Sequence, residues 1–175
     1  GIANLHSHAF QRAMAGLAER QTHPEDSFWT WREIMYRFAA RMDPDSTYAV
    51  AMQLYAEMLE AGYTTVCEFH YVHHQPDGGP YDDRAAMAKA LIAAARDTGI
   101  RMTLLPVLYM RGGFDGRELS VRQQRFGHDV DGFLRLLDVL YPLQDGALRI
   151  GCAFHSLRAV AETAMREVLA ALPAD

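Results

Sequence analysis

The sequence is short of the features that build a disulfide framework, a membrane anchor or a polyanion-binding face. Its 175 residues include only two cysteines, Cys67 and Cys152. Both lie in apolar, strand-like stretches, so they read as buried, reduced thiols, and a cytoplasmic location fits that usage. No apolar run is long enough to span a bilayer. The first residues have neither the basic nor the apolar region of a secretory signal. Lysine and arginine form no cluster and the net charge is −5, which argues against nucleic acid and anionic membranes as partners. No G-x-G-x-x-G or P-loop follows any predicted strand, which lowers nucleotide binding. A starting Met is also missing, and "AALPAD" ends the chain just as a helix closes. These ends read as those of a segment of something longer.

What is present is the alternation of an α/β protein. Hydrophobic residues make up 50% of the chain, enough for one domain with a sizeable core. Ile2–His8 reads as a short strand. A helix is predicted from about Thr30 to Met42, with Thr30 to Glu33 as a capping box, and Asp43-Pro44 breaks it. A second helix runs from about Ser46 to Ala61, capped by Gly62. Thr64–Tyr71 is β-branched and aromatic, hence a strand. His73–Pro80 is loop, Arg84–Thr98 an Ala-rich helix capped by Gly99, and Arg101–Tyr109 a buried strand despite Pro106. Asp129–Tyr141 is an amphipathic helix stopped by Pro142, Leu148–His155 a strand, and Leu157–Leu172 a helix. The order is β-αα-β-α-β-α-β-α, without internal repeats or low-complexity segments. Continuous apolar strands in such an alternation predict a parallel sheet covered on both faces.

The sheet could be a small doubly wound one or half of an eight-stranded barrel. Polar residues gather at successive strand ends: His6 and His8, His70 and Tyr71, Tyr109 and Arg111, His155 and Arg158. That distribution is the one in which a (β/α)₈ barrel keeps its active site, whereas an open sheet concentrates its site around one switch point.

His6 and His8 share one face of a strand, and two imidazoles so placed can bind one metal ion, zinc accepting such nitrogens. His-x-His is also a common pattern of surface residues. Gln11, three residues on, could reach a substrate over that metal or be an exposed loop amide. Arg32 lies among Phe28, Trp29, Trp31 and Tyr36; on its own it reads more readily as a surface Arg lying over apolar groups than as a carboxylate ligand. Glu68–His74 is dense in histidine, which allows a metal site, although His73 and His74 lead into a Gly/Pro loop and read as solvated. Tyr71 could donate to an anionic substrate or sit on the core rim. His155 and Arg158 suit a carboxylate ligand. The competing reading puts Arg158 in the first turn of a helix, a poor position for a cation.

Five stretches carry a resemblance: "NLHSHAFQRAMAGLAE", "FWTWREIMYRFA", "EMLEAGYTTVCEFHYVHH", "TLLPVLY" and "HSLRAV". Together they resemble the amidohydrolase superfamily of metal-dependent hydrolases and, within it, the formimidoylglutamate deiminases of histidine breakdown. The likeness covers nearly the whole chain, in order. It implies a (β/α)₈ TIM barrel, of which residues 1–175 form a partial domain with strands one to four. It implies zinc, one Zn²⁺ per complete site, with His6 and His8 as ligands. Gln11 matches a glutamine near the formimino group, and Arg32, Tyr71, His155 and Arg158 match residues that hold the substrate's carboxylates. The implied reaction hydrolyses N-formimino-L-glutamate, a small dicarboxylate amidine, to N-formyl-L-glutamate and ammonia. A homodimer is compatible with it. The remaining ligands and the proton-handling Glu and His are expected beyond Asp175, so no catalytic acid or base is assigned here and these residues alone are expected to bind zinc weakly or not at all and to turn nothing over. The chain departs from the pattern at Phe154, where a proline is expected, which could shift the backbone before His155. Two alternatives stay open: another deaminase of the superfamily, such as a guanine-type aminohydrolase, and a non-catalytic α/β binding module. Metal analysis beside an ammonia-release assay separates them.

Overall fold

The computed structural model describes residues 1–18, 24–25 and 27–173, without the Trp29 side chain. Glu19, which closes the first family-like stretch, and the Trp29 side chain lie outside the described residues. The strands are β1 (Ile2–Ser7), β2 (Tyr63–His70), β3 (Arg101–Leu108), β4 (Leu148–Ile150) and β5 (Ala153–Phe154). The helices are α1 (Phe28–Ala39), α2 (Pro44–Glu60), α3 (Ala86–Thr98), α4 (Val121–Gln124), α5 (Val130–Leu140) and α6 (Glu162–Ala171), with a 3-10 helix at Ala9–Met14. All strand pairs are parallel, in the order β1-β2-β3-β4, with β5 also on β3.

The fourth predicted strand is interrupted, and β3 shows why. Met102 donates its N–H to Ala147 O, and Leu104 O accepts from Gly151 N, so the even residues of β3 address the fourth strand line. By that alternation Pro106 faces the same side without a donor. The line breaks there, at Gly151-Cys152, and resumes when Val107 and Leu108 pair with Ala153 and Phe154. Phe154 keeps its register, and His155 N–H donates to Leu108 O at 3.1 Å. The backbone before His155 therefore follows the ladder without the expected proline.

Helix α2 begins two residues before its expected start and α3 two residues after; α1 and α6 differ for reasons visible in their hydrogen bonds. Thr30 Oγ1 accepts the Ser27 N–H at 2.9 Å, so Thr30 lies inside the first turn rather than capping it, and α1 begins two residues early, at Phe28. At the other end of the chain α6 begins only at Glu162, because residues 157–160 form turns in which Ala159 and Val160 donate back to Ser156 O. Arg158 is therefore a turn residue, and the competing reading, a cation in the first turn of a helix, falls away. Asp43 does more than break: it caps α2 in a reciprocal box with Ser46, with Pro44 in the first turn, a device worth about 1 kcal/mol. The short helix α4 was not expected; four residues carry no readable period.

Helices α2 and α3 pack side by side behind β1–β3, with the fully buried Ala51, Tyr55 and Ala94 among their buried positions. Phe133, Leu136, Leu137 and Leu140 form the buried stripe of α5. No described helix is long and apolar enough to cross a membrane, and both cysteines are free.

Candidate active site

At the carboxyl end of the sheet the seven residues singled out above, His6, His8, Gln11, Arg32, Tyr71, His155 and Arg158, all line one cavity of about 250 Å³. Five different segments of the chain contribute them.

β1 delivers the two histidines. Their Nε2 atoms lie 2.9 Å apart, and the rings meet edge to face. His8 Nδ1 lies 3.0 Å from the Phe69 carbonyl. A carbonyl only accepts, so the proton sits on Nδ1 and Nε2 presents its lone pair, the arrangement seen in metal-bound histidines. The Phe69 ring stacks on His6, with centroids 5.6 Å apart. Burial, and then the neighbouring His6, lower the pKa of His8, which keeps the imidazole neutral.

Gln11 rides on the 3-10 helix that follows. Its neighbour Arg12 grips Glu57 of α2 through two hydrogen bonds of 2.7 and 2.6 Å, which ties this turn to the helix layer. Gln11 Nε2 donates to the Tyr71 hydroxyl at 3.2 Å. Tyr71 is buried at the end of β2, and its burial raises its pKa. It stays a phenol and can donate its own proton into the cavity.

Arg32 comes from α1. It donates to the Tyr36 hydroxyl at 2.6 Å and lies over that ring at 5.1 Å. The aromatic neighbours thus present the guanidinium to the cavity. Arg158 enters from the turn after β5. Arg111, expected at a strand end, does not line the cavity; it donates to the carbonyls of Leu157 and Arg158 and so holds that turn. His155 packs on Tyr109, with centroids 4.4 Å apart, and on Tyr71 at 5.7 Å. Burial and then Arg158, His8 and Arg32 lower its pKa to about 4.

The histidines after β2 separate from this group. His73 is 2% exposed, and its Nε2 lies 3.1 Å from Val107 O; that of His74 lies 2.7 Å from Gly127 O. The expectation that they are solvated is corrected: the Arg125 carbonyl accepts both their backbone N–H groups and draws the segment inward. They face the helix layer with His70 and His128, away from the cavity. Among the described residues no group of three or more His, Cys, Asp or Glu could hold a metal ion.

Sequence reasoning noted Tyr109 at a strand end and Tyr36 beside Arg32 without assigning either to the site; both line the cavity. Tyr109 carried a signal, closing the third strand. Tyr36 carried one too, four residues after Arg32 and so on the same helix face.

Comparison with known proteins places this arrangement. The model of the amidohydrolase family matches residues 1–172. Formimidoylglutamate deiminase from Pseudomonas aeruginosa is 54% identical over 172 residues, 98% of this chain and 38% of that protein. An amidohydrolase structure from Brucella melitensis is 49% identical, with a TM-score of 0.89 over 96% of this chain and 38% of that one. A zinc complex of atrazine chlorohydrolase from Arthrobacter aurescens, at 22% identity and a TM-score of 0.75, shares the fold over 97% of this chain and 38% of that one. The chain thus spans well under half the length of these relatives, and its parallel sheet with its helices corresponds to the N-terminal part of a TIM barrel.

Proposed function

The chain belongs to the amidohydrolase family, and on that premise we propose that it supplies the metal-pair and carboxylate-binding part of a zinc-dependent deiminase. The reaction is hydrolysis of N-formimino-L-glutamate: water adds to the formimino carbon, the C–N bond to the terminal nitrogen breaks, and ammonia and N-formyl-L-glutamate leave. The observation that carries this reading is the single cavity that holds two convergent imidazoles together with Arg32 and Arg158. It is supported by the 54% identity to a formimidoylglutamate deiminase.

The two histidines fit zinc. Nitrogens bound to one tetrahedral zinc at about 2.0–2.1 Å stand about 3.3 Å apart, close to the 2.9 Å between the Nε2 atoms. Zinc, when bound, supplies a Lewis acid that makes water a nucleophile near neutral pH. His6 and His8 hold one zinc per site, and its further ligands come from outside the described residues. Arg32 and Arg158 hold the substrate's two carboxylates by charge-assisted bonds. Tyr71 and neutral His155 add donors beside them. Gln11, anchored on the Tyr71 hydroxyl, orients the formimino group. Phe69 and Phe126 keep the walls apolar, which strengthens each of these bonds. No Asp or Glu lines the cavity among the described residues, so proton transfer falls to residues outside them. Residues 1–175 act as one partial barrel domain, and the two free cysteines suit a cytoplasmic setting.

Ammonia release from N-formimino-L-glutamate tests this reading in zinc-loaded protein carrying these residues. Arg32→Met and Arg158→Met are each expected to raise KM by about tenfold or more, the worth of one charged hydrogen bond. Full activity of both variants at low substrate overturns the carboxylate assignment.

A further inference from the structure

The metal pair is held by something other than its strand ladder. Ile2, Ala3 and Asn4 pair with Tyr63, Thr65 and Val66, the register then shifts, and pairing resumes with Ser7 opposite Glu68. His6 lies within the shifted stretch and His8 beyond the last paired residue. Ladder bonds therefore leave the direction of both imidazoles weakly determined.

Glu68 occupies the place where that direction is set. It is 2% exposed and points, with Ser7, to the face of the sheet opposite His6 and His8. Its Oε1 accepts the Ala9 N–H at 2.6 Å, the Ser7 side chain hydrogen-bonds to the same carboxylate, and Oε2 accepts the hydroxyl of fully buried Tyr55 at 3.3 Å. One carboxylate thus grips the residue before His8, the residue after it, and α2. The next residue, Phe69, offers His8 its carbonyl and His6 its ring. A buried carboxylate is a costly way to fill space, and an apolar side chain of similar volume would pack there at less cost. Its three bonds all lead to the metal-pair segment or to the helix behind it.

We propose that Glu68 is a positioning residue for the metal pair, its carboxylate aiming the His6 and His8 imidazoles through Ser7 and Ala9. The proposal rests on the reading of His6 and His8 as metal ligands. It has the form of a support one shell removed from the metal, where substitution typically costs about 10–100-fold in affinity.

Cu²⁺ is the probe, because it binds nitrogen donors more tightly than zinc does and its EPR spectrum counts bound nitrogens. The purified chain is titrated with Cu²⁺ beside His6→Asn, His8→Asn, Glu68→Ala, Glu68→Gln and Ser7→Ala, with far-UV circular dichroism as the control for folding. The wild type is expected to show a two-nitrogen signal that either histidine variant abolishes. Glu68→Ala is expected to lose roughly tenfold or more in affinity. Glu68→Gln, which keeps an acceptor oxygen for the Ala9 N–H, is expected to recover most of it, whereas a further variant, Glu68→Met, which fills a similar volume without an acceptor, is not; rescue by both would show a packing role only and overturn the proposal. A folded Glu68→Ala chain that binds Cu²⁺ as the wild type does overturns the proposal. Should that variant not fold, Ser7→Ala carries the test: weaker binding supports the proposal and wild-type binding overturns it. If Cu²⁺ binding ignores His6 and His8, the metal-pair reading itself fails and takes the proposal with it. If binding needs both histidines but ignores Glu68, only the proposal fails.

Discussion

Acid should unfold this protein through its buried histidines, most of which lie behind the sheet. His70 is buried and His128 half-buried, and the buried Nε2 atom of each has no hydrogen-bond partner among the described residues. Burial, and then Arg125, push the pKa of His70 down to about 3. Burial, and then His74, do the same for His128, where Asp129 opposes and Arg84 assists. His73, between them, is lowered as well. A lowered histidine stays neutral in the fold while the unfolded chain takes up its proton from about pH 6.5 downward. Stability is therefore intact above about pH 6.5 and falls as the pH drops towards 3, by about 1.4 kcal/mol per histidine per pH unit. At about pH 4.5, His70 and His128 together remove about 5 kcal/mol, and His155, whose pKa burial lowers to about 4, removes about 2–3 kcal/mol more. Glu68 opposes them: burial raises its pKa to about 6, so the fold takes up that proton first and regains about 2 kcal/mol between pH 7 and 4.5. The net loss of about 5–6 kcal/mol is a large part of a typical stability of about 5–15 kcal/mol. Urea unfolding followed by circular dichroism at the two pH values measures it directly. His70→Gln and His128→Gln should each flatten the dependence by about a third of the histidine share. Equal unfolding free energies at both pH values, or variants with an unchanged slope, would refute the reasoning.

Two further outcomes concern the scaffold. Arg125 is 2% exposed and donates to the carbonyls of Ala39, Met42 and His74; Arg125→Met strands all three and should cost about 3 kcal/mol or more in chemical denaturation, so a loss below about 1 kcal/mol would contradict it. Gly99 ends α3 at φ +83° with open space where a Cβ would stand; Gly99→Ala should cost about 1 kcal/mol from backbone strain alone, and a melting temperature at or above that of the wild type would show that the turn relaxes.

The parallel α/β order could be read in the sequence because apolar, β-branched or aromatic strand stretches alternate with helical ones, and each long helix has its own stop signal. The single interruption, between β4 and β5, follows from a donor missing on a different strand, and no reading of Leu148–His155 alone can see Pro106. The late start of α6 escaped for a related reason. Residues 157–160 have helical composition, but they form turns closing onto Ser156 O and their carbonyls hold Arg111 and the N–H groups of Met110 and Arg111. In the cavity, His6 and His8 were legible from strand period, and His155 and Arg158 from their place at a strand end. Arg32 was not, because a lone Arg among aromatics has the same appearance on a surface as over a cavity; only its family-like motif singled it out. Glu68 stood inside a histidine-rich stretch that drew attention to its neighbours. Its part depends on Ala9 and Tyr55, 59 and 13 residues away.

The central claim is that β1 presents two imidazoles to one zinc ion. Crystals of protein carrying these residues, soaked in Zn²⁺ and measured at the zinc absorption edge, test it most directly. The account expects an anomalous peak within about 2.0–2.1 Å of both His6 Nε2 and His8 Nε2, lost in His8→Asn. Zinc bound instead among His73, His74 and His128, with nothing between His6 and His8, would contradict it.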